Sequence, residues 1–309
     1  MSNQKSTPKI VCFGEVLWDL FPESKKLGGA PFNVACSLHQ LGAEVFFISR
    51  IGNDELGNQI RKEVLEQGLP TSFVQQDENY PTGTVEVNLD QSGSATYQIT
   101  ENVAWDYIEV RDDEITLVRH SDAFIFGSLI ERATSAEALD TYLRSAHFIV
   151  FDVNLRPPYY TLDKLRKRMN AAHFIKFNEE ELQEIASAMG SFSTELKDQI
   201  RYISERTQTQ HICVTRGANG ALFYTQGKWV DHAGYAVKVK DTVGAGDSFL
   251  ATLLYGLLMG TDPKDALDRA CAMGAIVAQS EGANPVISSA ELITFMKIHT
   301  YNKNRPYET

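Results

Sequence analysis

The sequence predicts an α/β fold built on a mostly parallel central sheet. Three observations carry that expectation. Short apolar, β-rich runs alternate with amphipathic helical stretches almost to the end of the chain. Most of those runs are apolar on both sides of the pleat, as a sheet covered on both faces requires. The 309 residues, 43% of them hydrophobic, are enough to bury a large core.

The elements follow in order. Strands are expected at residues 10–14, 45–49, 123–127, 148–152, 174–178 and 212–215. A helix opens at Pro31, with Val34, Ala35, Leu38 and Leu41 as its buried stripe and Gly42 as its stop. Further helices are expected at 55–67, 135–145, 162–172, 178–188 and 194–206, and the last third ends in helices at 246–258, 263–280 and 288–297. The polar tail from Tyr301 reads as loose.

Two stretches break the rhythm. Residues 82–89 and 94–100 flank Asp90-Gln91-Ser92-Gly93 and read as a β-hairpin; residues 17–27 also look extended. The two could pair into a small separate sheet that closes over a site, or the hairpin could be plain surface decoration.

A net charge of −11 argues against nucleic acid and anionic membrane as partners, because both want a basic face. It leaves room for a local anion site at a helix start. Cys12, Cys36, Cys213 and Cys271 lie in apolar runs without C-x-x-C spacing, so they read as reduced, buried thiols of a cytoplasmic protein. Residues 1–8 lack the apolar core of a signal peptide, and no run is long enough to span a membrane.

The strongest chemical signal is Asp241-Thr242-Val243-Gly244-Ala245-Gly246-Asp247-Ser248-Phe249. A small-residue turn leads straight into a helix whose Phe249, Leu250, Leu253, Leu254, Leu257 and Leu258 face a core. Gly244, Ala245 and Gly246 would then present unpaired amides to an anion. Asp247 has two readings: a carboxylate that complements the helix dipole, or a general base beside an anion hole.

Gly28-Gly29-Ala30-Pro31-Phe32-Asn33 forms a second glycine-rich helix start, with Asn33 aimed at whatever binds there or merely bonding the helix end. Asn178-Glu179-Glu180-Glu181 reads as a capping box, or as acids near a divalent cation held through water. Thr215-Arg216-Gly217-Ala218-Asn219-Gly220 is a strand end and small-residue turn that could simply enter a hairpin. No Walker loop, G-x-G-x-x-G, H-E-x-x-H or G-x-S-x-G is present.

Taken together and in this order, residues 28–35 and 241–249 resemble the two signatures of the PfkB, or ribokinase-like, carbohydrate kinases. Phe13-Gly14-Glu15-Val16-Leu17-Trp18-Asp19, Asn178 with Glu181, and Thr215-Arg216-Gly217 with Gly220 match further family motifs. The resemblance implies a three-layer α/β/α sandwich with a small β-sheet lid. It implies one catalytic domain over residues 1–309, with lid segments at about 17–28 and 82–102.

The resemblance also implies roles. Asp247 would deprotonate the acceptor hydroxyl, with Gly244, Ala245 and Gly246 as the anion hole. Asp19, Gly28, Gly29 and Asn33 would bind the sugar, and Arg156, in an Asp152-x-Asn154-x-Arg156 stretch, would meet phosphate or sugar. Asn178, Thr215, Gly217, Gly220 and Asn284 would line the ATP site. Glu181 would position Mg²⁺ through water, and Asp241 stands where many relatives bind a monovalent cation such as K⁺.

The opening Gly14-Glu15 and the Gly-Gly-Ala-Pro-Phe-Asn stretch are similar to fructokinases. Between Leu27 and Asn102 the only cations are Arg50, Arg61 and Lys62, which disfavours a phosphorylated or acid sugar. Ribose, 2-keto-3-deoxygluconate or a nucleoside stay open as acceptors. Tyr97 and Trp105 could stack on a base or simply pack. A catalytically silent relative is a third reading, opposed by the intact Gly-Ala-Gly-Asp turn. A homodimer through the lid edge would bury an exposed strand.

Overall fold

The computed structural model describes residues 6–89 and 95–304. The chain opens with β1 (Lys9–Phe13), then β2 (Leu17–Leu20) and β3 (Lys25–Gly28), then helix α1 (Ala30–Gln40). Strand β4 (Glu44–Gly52), helix α2 (Glu55–Glu66) and β5 (Val74–Asp77) follow, then β6 (Thr84–Leu89) and β7 (Ala95–Ile99). A run of alternating helices and strands comes next: α3 (Asp112–Arg119), β8 (Ala123–Gly127), α4 (Ser135–Leu143), β9 (Ile149–Asp152), α5 (Leu162–Ala171), β10 (Phe174–Asn178), α6 (Glu179–Ala188), α7 (Leu196–Thr207) and β11 (His211–Thr215). The chain then forms the hairpin β12 (Ala221–Thr225) and β13 (Lys228–His232) and the helices α8 (Ala245–Leu258), α9 (Pro263–Gln279) and α10 (Ser289–Asn304).

Nine strands form the main sheet in the order β13-β12-β11-β10-β9-β8-β1-β4-β5. Pairing is parallel from β11 through to β5, and antiparallel only in β11–β12 and β12–β13. Both faces are covered. One core gathers Ile10, Cys12, Phe47 and Ile125 of the sheet with α1, α8 and α9; the other gathers Val11, Phe13, Phe124, Phe126 and Phe151 with α4 to α7. All four cysteines are buried and unbridged. Among the described residues, no helix is long and apolar enough to cross a membrane.

The two irregular stretches do pair. A four-stranded sheet runs β3-β2-β6-β7, with β2 and β6 parallel. Residues 17–27 are a hairpin rather than one extended run, because the chain turns at Pro22 and closes with Phe21 N–H donating to Ser24 O at 2.8 Å. Residues 90–93, expected as the turn between β6 and β7, lie outside the described residues. The expectation of a loose tail from Tyr301 is corrected as far as Asn304. Helix α10 continues to that residue because neither Gly nor Pro stands between Ser289 and Asn304 to stop it. Residues 305–309 lie outside the described part.

Parallel pairing aligns the carboxyl ends of the strands. Gly127 pairs with Asp152, Asp152 with Lys176, and Asn178 with Thr215. Strand order reverses at β1, which sits between β8 and β4. In open α/β sheets that reversal leaves a crevice beyond the strand ends where ligands bind.

Candidate active site

Two helix starts meet at this crevice. Helix α8 begins after Gly244, whose φ of +78° is left-handed and whose missing side chain lets Ala283 O close in. A methyl group at Gly244 would stand 2.3 Å from that carbonyl. Ala245 N–H donates to Thr242 O at 3.2 Å, and the first helical bond is Ser248 N–H to Gly244 O. The amides of Gly246 and Asp247 lie between them, at the orphan positions of a helix start. The backbone therefore directs the donors of Gly246 and Asp247 outward, while Ala245 closes the turn.

Helix α1 begins at Gly29, where φ is +116° and a methyl group would stand 2.4 Å from Glu15 O. Gly28 packs against the Asp19 carboxylate, which reaches over from β2. Glu15, only 4% exposed, accepts the Ala30 amide through Oε1 at 3.3 Å; its Oε2 is buried with no hydrogen-bond partner.

Asp247 Oδ2 accepts Asn33 Nδ2 at 2.8 Å, which joins the two starts. Burial, then the nearby Asp152 carboxylate, raise the Asp247 pKa to about 6, against the pull of Asn33, Lys176 and Arg156. Burial likewise raises Asp19 to about 6 and Glu15 to about 7. Exposed Arg156 lowers all three carboxylates, so its charge is shared by Glu15, Asp19 and Asp247.

Beneath the turn lies Lys176. Its ammonium bonds Asp152 Oδ1 at 2.8 Å, and a methyl group on Gly246 would stand 3.6 Å from it. Burial works against its charge, but the Asp152 and Glu181 carboxylates hold its pKa above the usual lysine value. Asp152 Oδ2 is buried without a hydrogen-bond partner.

Asn178 and Glu181 form the capping box. Asn178 Oδ1 accepts the Glu181 amide, and Glu181 Oε2 accepts the Asn178 amide, both at 2.8 Å. Glu181 Oε1 also accepts Leu155 N–H at 2.9 Å, which ties the 152–156 loop to α6. Thr215 ends β11 beside Asn178. Gly217 faces open space, and Gly220 packs against the His232 and Gly234 backbones, so the 215–220 turn does enter the β12–β13 hairpin.

Asn284, expected at the nucleotide side, donates Nδ2 to Asn33 Oδ1 at 2.8 Å. Asp241 accepts the Val243 amide at 3.0 Å and faces Lys26 Nζ of β3 at 3.4 Å. Trp105 is fully buried and stacks on Arg132, a packing role. The Tyr97 side chain lies outside the described residues. Sequence reasoning gave no role to Glu15, Lys176 or Lys26. The signal for Lys176 is a lone charge among Phe174, Ile175 and Phe177 of β10.

The family description pfkB family carbohydrate kinase matches residues 7–290. The chain belongs to this family. Among pfkB kinases, a fructokinase of Salmonella typhimurium is 30% identical over 295 residues, covering 89% of this chain and 94% of that one. A fructokinase from Xylella fastidiosa with bound ATP superposes with a TM-score of 0.83 over 94% of this chain and 99% of that one, at 24% identity, which speaks to fold. A Vibrio cholerae fructokinase double mutant, solved with fructose, ADP and potassium ion, reaches 0.81 at 25% identity, covering 94% of this chain and 100% of that one. Aminoimidazole riboside kinase from Salmonella enterica, solved with its riboside and an ATP analog, reaches 0.79 at 25%, covering 93% and 99%. The pfkB kinase fold is thus shared across nearly the whole chain, with relatives that act on different acceptors.

Proposed function

We propose that this pfkB carbohydrate kinase moves the γ-phosphoryl group of ATP to a hydroxymethyl group of fructose. The observation that carries the reading is the Asn33–Asp247 bond, which sets a carboxylate at the orphan amides of a helix start. One Asp247 oxygen is engaged by Asn33; the other takes the acceptor's hydroxyl proton. The freed oxygen bonds the γ-phosphorus as the bond to the ADP leaving oxygen breaks. The Gly246 and Asp247 amides, with Lys176 below, meet the charge on the moving group.

Asp19, Gly28, Gly29, Asn33 and Arg156 make the acceptor side. Asn178, Thr215, Gly217 and Gly220 make the nucleotide side. Residues 17–28 and the described residues of 82–102 close over one catalytic unit as its lid. Among the described residues no cluster of three or more acidic, His or Cys side chains could cage a metal. With both oxygens accepting backbone amides, Glu181 is left to meet a Mg²⁺ only through that ion's waters, and Asp152, whose Oδ2 has no hydrogen-bond partner, adds negative charge nearby. Bound there, Mg²⁺ would neutralise phosphate charge. Asp241, whose pKa is lowered by the Val243 amide and Lys26 despite burial, would hold a K⁺ beside the turn.

Fructose is favoured by the fructokinase relatives and by the acceptor side, where Arg156 is already shared by three carboxylates and is not spare for an anionic sugar. A riboside acceptor is the second reading, supported by the aminoimidazole riboside kinase neighbour. An ADP-release screen over fructose, ribose, 2-keto-3-deoxygluconate, fructose 6-phosphate and adenosine separates them. Preference for fructose is expected; preference for any other acceptor overturns the assignment.

A further inference from the structure

We infer that Asn284 is a positioning residue for the reaction: it locks the Asn33 amide so that its NH₂ group faces Asp247. The argument rests on donor and acceptor counting. An ionised carboxylate only accepts, so the Asn33 atom 2.8 Å from Asp247 Oδ2 is its nitrogen. That leaves Asn33 Oδ1 turned away, in a side chain only 3% exposed, in need of a donor. Asn284 Nδ2 supplies it at 2.8 Å.

This orientation leaves Asn284 Oδ1 buried with no hydrogen-bond partner. Such an orphan is unfavourable by itself. It is tolerated here because the opposite orientation would set two carbonyl oxygens against each other at Asn33. The relay joins three distant parts of the chain: the start of α1, the start of α8 and the loop before α10. Hydrogen bonds in series polarise one another, so accepting from Asn284 makes the Asn33 amide a better donor to Asp247.

Loss of the relay weakens the neutral Asn33 donor to the base. The charged groups that face Asp247 remain: Asp152 from β9, Lys176 from β10, Arg156 from the loop after β9, and Glu15 after β1. With Asn33 unlocked, Asp247 binds its proton more tightly, and the acid limb of the rate profile moves to higher pH.

The inference rests on Asp247 as the base, so the test separates the two. Asn284→Leu keeps the shape and removes the donor; Asn284→Asp keeps the shape and can only accept. Both are measured with ATP and the best acceptor across pH 5 to 9, with thermal melting to confirm folding. For Asn284→Leu, kcat/KM for the acceptor is expected to fall about tenfold with the KM for ATP unchanged. Its acid limb is expected to rise by about one pH unit. Asn284→Asp is expected to lose at least as much. A wild-type pH profile and acceptor kcat/KM in Asn284→Leu overturn the relay, as does a changed ATP KM alone, which would return Asn284 to the nucleotide side. If Asp247→Asn is itself active, the base assignment has failed instead.

Discussion

Lys176 and Asp152 form an ion pair of 2.8 Å directly beneath the turn that starts α8, with both side chains less than a tenth exposed. Both charges are largely withdrawn from water, so each depends on the other. Lys176→Met strands the Asp152 carboxylate and is expected to destabilise the protein by about 3–5 kcal/mol. Thermal melting reads this. The double variant Lys176→Met, Asp152→Asn should recover much of the stability and little of the turnover, because the positive charge under the proposed anion site is still missing.

The proposed role of Asp247 as base predicts the pH dependence of kcat/KM. Its pKa of about 6 means that the carboxylate is protonated below that pH and can take no proton from the acceptor. Activity should fall as pH drops through about 6 and stay level above it. Initial rates between pH 5 and 9 check this; a rate that rises on acidification contradicts it.

Glu15 carries a different pH signature. Its folded pKa of about 7 exceeds its ordinary 4.5, so the folded state keeps a proton that the unfolded chain has lost. The stability this proton contributes is complete below pH 4.5 and disappears as pH rises through 7. Glu15→Gln should match the wild type in melting at pH 4.5 and exceed it at pH 8, by on the order of 1–3 kcal/mol. Equal melting at both values would mean that Glu15 is ionised in comfort.

Gly244→Ala meets both a left-handed φ and a carbonyl at 2.3 Å from the new carbon. The Ala283 backbone must move, so stability should drop by more than about 2 kcal/mol, with turnover lost as the amides of Gly246 and Asp247 shift. Melting and steady-state rates test the two effects separately.

Lys26→Ala removes the contact from β3 to Asp241. Lys26 is half exposed, so the loss of stability should stay under about 1 kcal/mol and vanish in high salt. The proposed lid role of the small sheet predicts that the acceptor KM rises, since that contact ties β3 to the turn before α8. Titration with the acceptor at low and high ionic strength reads it.

Much of this was legible in the residues. The Gly244–Gly246 turn before an apolar run marks the start of α8 unaided, because small residues and a buried stripe have one local explanation. The capping box of Asn178 and Glu181 is equally local. What escaped sequence reasoning depends on distant partners. Nothing near Asn284 signals a bond to Asn33, 251 residues away, nor does Glu15 announce that it will be buried at the head of α1. The strands β5, β12 and β13 were also missed; they are short, and β13 is half exposed, so their pairing was decided by the sheet rather than by their own periodicity.

The most direct test of the account is ADP release by Asp247→Asn, with fructose at saturation and nucleotide binding measured in parallel. The account predicts a folded protein that binds ATP normally and turns over at least about 10²-fold more slowly than the wild type. Turnover near that of the wild type would contradict it, since no other carboxylate described at the crevice stands bonded to Asn33 beside the amides of the α8 start.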